Sequence, residues 1–137
     1  MGLILDSSVL VAFERRRFDL ERLLAEHAPP AIAAATAAEL LIGVERADTP
    51  QRRARRESFV QNIFLRMPIV PFDLPQARLF AVHHAELARR GQMIGDRDLQ
   101  IAVTALSLDY DVATLNMGEF SRVTGLRLLN ISIYAVS

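Results

Sequence analysis

The chain opens on a short apolar run, Leu3–Leu5, that stops at Asp6 and is followed by two serines. A continuous apolar run of this length is typical of a strand that is buried on both faces. Open parallel sheets bind their ligands beyond the carboxyl ends of the strands, which is the position of Asp6. Ser7 or Ser8 can cap a helix that begins at Val9. Because Asp and Ser are also common turn residues, the segment alone fits a simple strand-to-helix turn equally well.

The rest of the chain alternates helical periodicity with short apolar runs, and this pattern predicts the fold class. Half of the 137 residues are hydrophobic, which is enough for one domain over 1–137 with a substantial core. We expect an α/β structure of three layers, α/β/α, around a mainly parallel sheet. The strand between Pro68 and Pro71 should lie near a sheet edge. The predicted helices cover 9–14, 18–28, 36–44, 51–66, 73–90, 99–108 and a short turn at 119–120, and the further strands cover 31–35, 67–71, 112–115 and 125–129.

Composition excludes several classes of protein. The chain has no cysteine, which rules out disulfides and thiolate metal sites and fits a reducing cytoplasm. No apolar stretch is long enough for a membrane span. The formal net charge is zero, so the whole domain is not a polycation drawn to nucleic acid. All sixteen basic residues are arginine, which suits phosphate recognition but is more simply explained by genomic base composition.

Glu39 has two interpretations. Thr36 stands three residues before it, so the pair has the spacing of a capping box at a helix start. However, Glu39 is flanked by alanines and leucines, and a carboxylate buried among them needs a partner or a metal ion.

Further polar residues occur where a predicted strand ends or a buried helix begins. Asp96 and Asp98 precede a strongly apolar helix, where acids also favour the helix dipole, and Asn116 follows a strand as Asp6 does. If Asp6, Glu39 and one or both of these acids meet at one sheet edge, they repel one another unless a cation neutralises them. Oxygen ligands without cysteine or a histidine cluster select Mg²⁺ or Mn²⁺ rather than Zn²⁺.

Two other features have plain and functional interpretations. Four arginines within residues 52–56 can hold phosphates, but such a run is usually a solvated helix face. His83 and His84 can ligate a metal or act as a base, but the chain has no third nitrogen ligand at zinc spacing, which favours ordinary helix-face positions.

Four blocks of sequence, in order along nearly the whole chain, resemble those of PIN-domain ribonucleases of the VapC toxin type. Each block alone is a weak indication of the family, whereas the four in this order and at these intervals are a strong one. The blocks are residues 3–10 around Asp6, residues 36–40 around Glu39, residues 94–102 around Asp98, and residues 114–127, which include Asn116 and Glu119.

The resemblance implies hydrolysis of RNA phosphodiesters with Mg²⁺ or Mn²⁺. It implies that Asp6 and Asp98 hold the metal, and that Glu39 completes the site and helps to deprotonate the attacking water. Ser8, Asp96 and Asn116 would surround the site, with Ser8 bonding a carboxylate or the substrate phosphate. Many PIN nucleases have an Asp at the position of Asn116. Because an amide adds no charge, our preferred hypothesis is one firmly bound ion, with a second arriving with RNA.

The resemblance also implies a cognate VapB-like antitoxin, which lays a C-terminal segment across the groove, and a toxin homodimer. The apolar helices at residues 18–28 and 36–44 are candidates for these contacts, although they can equally pack on the protein's own core. Two other functions remain open. One is a phosphatase with Asp6 as nucleophile, which typically needs an acid where Ser8 stands. The other is a non-catalytic PIN-like module that binds RNA or protein.

Overall fold

The computed structural model describes residues 2–27 and 29–136 and has a five-stranded sheet at its centre. The strands are β1 (Leu3–Leu5), β2 (Pro30–Ala33), β3 (Ile69–Val70), β4 (Asp111–Ala113) and β5 (Leu128–Leu129). Their order across the sheet is β3-β2-β1-β4-β5, and every neighbouring pair is parallel. The predicted parallel sheet is therefore confirmed, and β3 lies at an edge as its flanking prolines indicated.

Helices cover both faces of this sheet. One layer consists of α1 (Ser7–Glu14), α2 (Leu20–Glu26), α3 (Ala34–Glu45) and α4 (Pro50–Arg66). The other consists of α5 (Leu74–Arg89), α6 (Asp96–Leu108) and α7 (Met117–Phe120). A 3₁₀ turn at Ser132–Tyr134 follows β5. The three-layer α/β/α architecture predicted from the sequence is confirmed.

Alternation along β1 divides the core into these two layers. Leu3 and Leu5 pack towards α1–α4, whereas Ile4 packs towards α5–α7. All three are at most 2% exposed, and burying such a side chain stabilises the fold by about 1.5–3 kcal/mol. Because β1 is the central strand of the sheet, Asp6, which follows its carboxyl end, is surrounded by protein.

The start of α1 differs from the prediction. The helix begins at Ser7 rather than Val9, and its N-cap is Asp6, whose Oδ1 accepts the backbone N–H of Ser7 at 2.8 Å. The prediction that Ser7 or Ser8 caps the helix is therefore wrong. Asp is as good a cap as Ser, and here it follows the strand directly, so the chain needs no additional turn residue.

The start of α3 also differs, and the difference matters for Glu39. The helix begins at Ala34 because alanine is the strongest helix former, and the strand before it ends at Ala33 rather than at residue 35. Thr36 is therefore inside the helix, and its Oγ1 is buried without a hydrogen-bond partner among the described residues. Of the two interpretations of Glu39, the capping box is therefore wrong, which leaves the Glu39 carboxylate available for contacts elsewhere.

Among residues 2–27 and 29–136, no helix combines the length and the apolar character that a bilayer-spanning segment needs.

Candidate active site

Asp6 is the most buried of the predicted acids, with 4% of its surface exposed. Its Oδ2 accepts two hydroxyl hydrogen bonds, from Ser8 Oγ at 2.8 Å and from Thr114 Oγ1 at 2.7 Å. Thr114 comes directly after β4, the strand beside β1, so adjacent strand ends supply the carboxylate and its donor. Because these donors carry no charge, they fix the orientation of Asp6 without neutralising it.

Glu39 reaches the same region from α3. Its Oε2 accepts the Ser7 hydroxyl at 3.2 Å and lies 3.4 Å from an Nη1 of Arg97. The Glu39 side chain is 25% exposed and that of Arg97 is 54% exposed, so this ion pair is open to solvent and weak. The Ser7 backbone N–H also donates to Asp6 Oδ1, so Ser7 connects Glu39 to Asp6.

Asp98, in the first turn of α6, has the most perturbed acid–base chemistry in the group. Its pKa is raised to about 7, first by loss of hydration and then by a hydrogen bond with Glu119. Repulsion from Asp6, Glu119 and Glu39 raises this pKa further. Four carboxyl groups from four separate elements thus act on one another electrostatically.

The three surrounding residues named from the sequence differ in their contacts. Ser8 bonds Asp6 directly, and the Asn116 Nδ2 donates to Asp98 Oδ2 over a long 3.5 Å. Asp96 is exposed, and its side chain makes no hydrogen bond or ion pair with any residue in the described part of the chain.

The carboxylate oxygens of these four acids are ligands that suit a hard divalent cation, although the side chains do not enclose a preformed metal site. Within the described ranges, no three His, Cys, Asp or Glu residues stand together in an arrangement ready to hold a metal. The donors near Asp98 are oxygens, and their mutual repulsion is what a cation relieves. His84 instead stacks on Phe80, with ring centroids 5.8 Å apart, in keeping with a helix-face position. Asp6, Glu39, Asp98 and Glu119 are therefore the residues that could hold such an ion.

Sequence reasoning did not assign a role to Glu119, Thr114 or Arg97. Glu119 lies three residues after Asn116 at the start of α7, so the strand-end argument that selected Asn116 could have been extended to it. Thr114 occupies the strand end itself, but a hydroxyl there gives no sequence signal of its own. Arg97 lies between two acids, and nothing in its spacing indicates that it reaches Glu39.

Comparisons with known proteins identify the family of this chain. A protein-family model described as PIN domain matches residues 3–126. Over 132 residues the chain is 31% identical to Ribonuclease VapC1 of Rickettsia felis, covering 96% of this chain and 98% of that protein. It is 32% identical to the tRNA(fMet)-specific endonuclease VapC of Shigella flexneri, covering 82% of this chain and 80% of that protein.

Solved structures with the same fold include toxin–antitoxin complexes. VapBC2 from Rickettsia felis, bound to a DNA fragment from their promoter, superposes with a TM-score of 0.85 at 27% identity, covering 95% of this chain and 98% of the matched chain. DNA-bound VapBC from Salmonella typhimurium superposes with a TM-score of 0.85 at 27% identity, covering 94% and 97%.

Proposed function

The chain belongs to the PIN-domain family, as a metal-dependent ribonuclease of the VapC toxin type, and from that premise we propose which of its residues carry the chemistry. Asp6, Glu39 and Asp98 form the catalytic group and hold the divalent ion, which we propose to be Mg²⁺ or Mn²⁺. Glu119 joins them as a fourth acid. We also propose that residues 1–137 form one domain built on this sheet, and that the protein acts on RNA in the cytoplasm.

The observation that carries this proposal is the environment of Asp98. A carboxyl group whose pKa reaches about 7 beside Asp6, Glu39 and Glu119 marks a place where negative charge accumulates beyond what the fold itself neutralises. Structural acids are normally paired with arginine, as Asp48 is with Arg52 at 2.8 Å. Within the part of the chain that the structure describes, these four acids make one ion pair, that of Glu39 with Arg97, whose side chain is 54% exposed.

Each acid has a different task. Asp6 is fixed by Ser8 and Thr114, which makes it an oriented ligand that does not need to reorganise. Asp98, whose pKa in the metal-free protein is raised to about 7, is held on one side by Asn116. Glu39 is more exposed than Asp6, and we assign it the role of accepting a proton from the attacking water.

A bound divalent ion would polarise the scissile phosphoryl group and lower the pKa of the attacking water. Arg97 balances the charge on Glu39 in the free protein, and its exposed position lets it turn towards a substrate phosphate when RNA binds.

We also propose a VapB-like antitoxin and a homodimer as partners. Of the two predicted contact helices, α2 turns Leu20 and Leu23 into the protein's own core, where both are fully buried. On α3, by contrast, Leu41 and Ile42 are 45% and 37% exposed. The exposed face of α3 is therefore the better candidate for a partner contact, and α2 serves mainly the core.

Cleavage of RNA by the purified chain tests the proposed function. We expect total RNA to be cut with Mg²⁺ or Mn²⁺ and left intact with EDTA. Asp98→Asn should abolish cutting, because it removes a ligand charge, whereas Asp96→Asn should cut like the wild type. Sequencing the new RNA ends would identify the cleavage site.

Two outcomes count against the proposal. A wild-type chain that binds RNA but never cuts it with either metal would be the non-catalytic module. A phosphoprotein trapped at Asp6 would instead indicate the phosphatase mechanism.

A further inference from the structure

A basic cleft lies between the end of α1 and the first half of α4. Its volume is about 610 Å³, and we call it the arginine cleft. It is lined by Glu14, Arg15 and Arg16 from the end of α1, and by Arg52, Arg55, Arg56, Ser58 and Phe59 from α4.

The charge of this cleft is largely uncompensated. Arg52 is paired with Asp48, and an Nη1 of Arg56 donates to the Gly43 carbonyl at 2.7 Å, a neutral partner. Arg15, Arg16 and Arg55 are exposed and form no ion pair with any residue that the structure describes. Glu14 is the single acid in the lining. In a chain with a formal net charge of zero, positive charge is thus concentrated here.

The arginine cleft continues into the acidic site. A smaller cavity of about 170 Å³ is lined by Glu39 and shares four residues with the cleft, among them Arg15 and Arg56. Arg15 also lines a third cavity, of about 300 Å³, together with Ser8, the hydroxyl partner of Asp6. Arg15 therefore stands between the acids and the arginine cleft, and a chain passing Glu39 can run on into the cleft.

Arg16 is kept in the cleft despite an unfavourable backbone conformation. Its φ of 59° lies in the left-handed region, and it follows α1 in a Schellman turn in which Arg17 N–H bonds Ala12 O at 2.8 Å. Glycine is the usual residue at this position, and a side chain there costs roughly 1 kcal/mol. The Arg16 guanidinium thus lines the cleft from a backbone position that glycine would adopt with less strain.

We propose that the arginine cleft binds the phosphodiester backbone of the RNA beside the scissile bond, with Arg15, Arg16 and Arg55 contacting successive phosphates. The guanidinium fork suits phosphate oxygens, and the lining offers one aromatic residue, Phe59, and no broad apolar wall for a protein helix. This assignment rests on the proposed function, because the groove matters only if RNA crosses the acids. From the sequence, the arginines within residues 52–56, which include Arg55, stayed open between a solvated face and a phosphate site, and Arg15 and Arg16 had no assigned phosphate role.

A salt series of RNA binding tests the assignment. The double variant Arg16→Gln/Arg55→Gln is compared with Arg78→Gln/Arg89→Gln, whose arginines are exposed on α5 in the opposite helix layer. Both variants lose the same charge, so any difference reports position rather than net charge. Binding of a short labelled single-stranded RNA is measured by fluorescence anisotropy in EDTA, so that no metal-dependent cleavage occurs.

Loss of two phosphate contacts should weaken binding by roughly tenfold at moderate salt and reduce the slope of log affinity against log salt by about 1.4. The α5 variant should keep the wild-type slope. In cleavage assays with Mn²⁺, the cleft variant should raise KM for RNA and keep its kcat.

The assignment is overturned if both double variants have the same slope of log affinity against log salt. It is also overturned if the cleft variant binds RNA with wild-type affinity, which is the result expected if the cleft binds a protein partner. Because the binding comparison needs no hydrolysis, its outcome is independent of whether the chain cuts RNA. Absence of cleavage by the wild type contradicts the proposed function, and an unchanged salt slope contradicts the arginine cleft.

Discussion

At the scale of single residues, Asp98 carries a conflict between stability and function. Its folded-state pKa of about 7 is above the ordinary value of 3.8, so the folded protein holds this proton more tightly than the unfolded chain does. The stability that follows is complete below the unfolded pKa and is lost as the pH rises through about 7. The metal-free protein at alkaline pH therefore carries a destabilising charge at the site that its chemistry uses.

Asp98→Asn should stabilise the metal-free protein above neutral pH, because asparagine cannot ionise and can still donate to Glu119. The full shift corresponds to several kcal/mol, but Asp98 is only partly buried, so we expect an increase of roughly 1 kcal/mol at about pH 8 and little at about pH 4. Urea unfolding in EDTA measures this difference, with Asp96→Asn as the control. An equal loss of stability at both pH values would contradict the environment described for Asp98.

Thr114 is expected to act by positioning Asp6. Its Oγ1 donates to Asp6 Oδ2 and accepts the Asn116 backbone N–H at 2.9 Å, and Thr114 itself is 1% exposed. Thr114→Val keeps the shape but removes both bonds, which should cost about 1–3 kcal/mol of stability and lower kcat for RNA. Thr114→Ser, which keeps the hydroxyl, should restore kcat, whereas a purely structural role would leave kcat unchanged in both variants.

The sequence indicated the predicted acids but not the contacts that tune them. Asp6 and Asp98 could be found because strand ends and buried helix starts leave local patterns. The Glu119 hydrogen bond and the Arg97 ion pair depend on how α7 and α6 pack against neighbours distant in sequence. Local spacing has no information about such packing.

At the scale of elements, the wrong starts of α1 and α3 have the same cause. Each helix begins directly after a strand, with Asp6 or Ala33 as its N-cap, whereas the predictions placed the cap further along, at Ser7 or Ser8 and at Thr36. The strands and the later helices were predictable because their apolar periodicity is strong, as in α6, where Ile101, Ala102 and Val103 are fully buried. Helix termini depend on one or two residues and are less constrained by pattern.

The end of α1 provides a test at this scale. Arg16→Gly should stabilise the protein by about 1 kcal/mol, because glycine adopts the left-handed conformation of Arg16 without strain. The same variant should bind RNA more weakly. Thermal unfolding measures the first effect and RNA titration the second. A destabilised variant would show that the Arg16 side chain holds the fold together, contrary to the contacts described.

At the scale of the whole molecule, a neutral chain separates its charge into two neighbouring regions. Acids gather at the carboxyl end of β1 and on the nearby helices α3, α6 and α7, and arginines gather where α1 meets α4. Because the positive and negative charges cancel, the composition shows only a formal net charge of zero. The topology that brings the acids together was predictable as a fold class, whereas the position of the arginine cleft required the packing of α1 on α4.

The most direct test of the central claim, that these acids form one cation site, is Mn²⁺ binding followed by electron paramagnetic resonance without RNA. Binding is measured as loss of the free Mn²⁺ signal, and the wild type and Asp96→Asn should bind Mn²⁺ with the same affinity. Asp6→Asn and Asp98→Asn should each lower the Mn²⁺ affinity by at least tenfold. Wild-type Mn²⁺ affinity in both Asp6→Asn and Asp98→Asn would contradict the account.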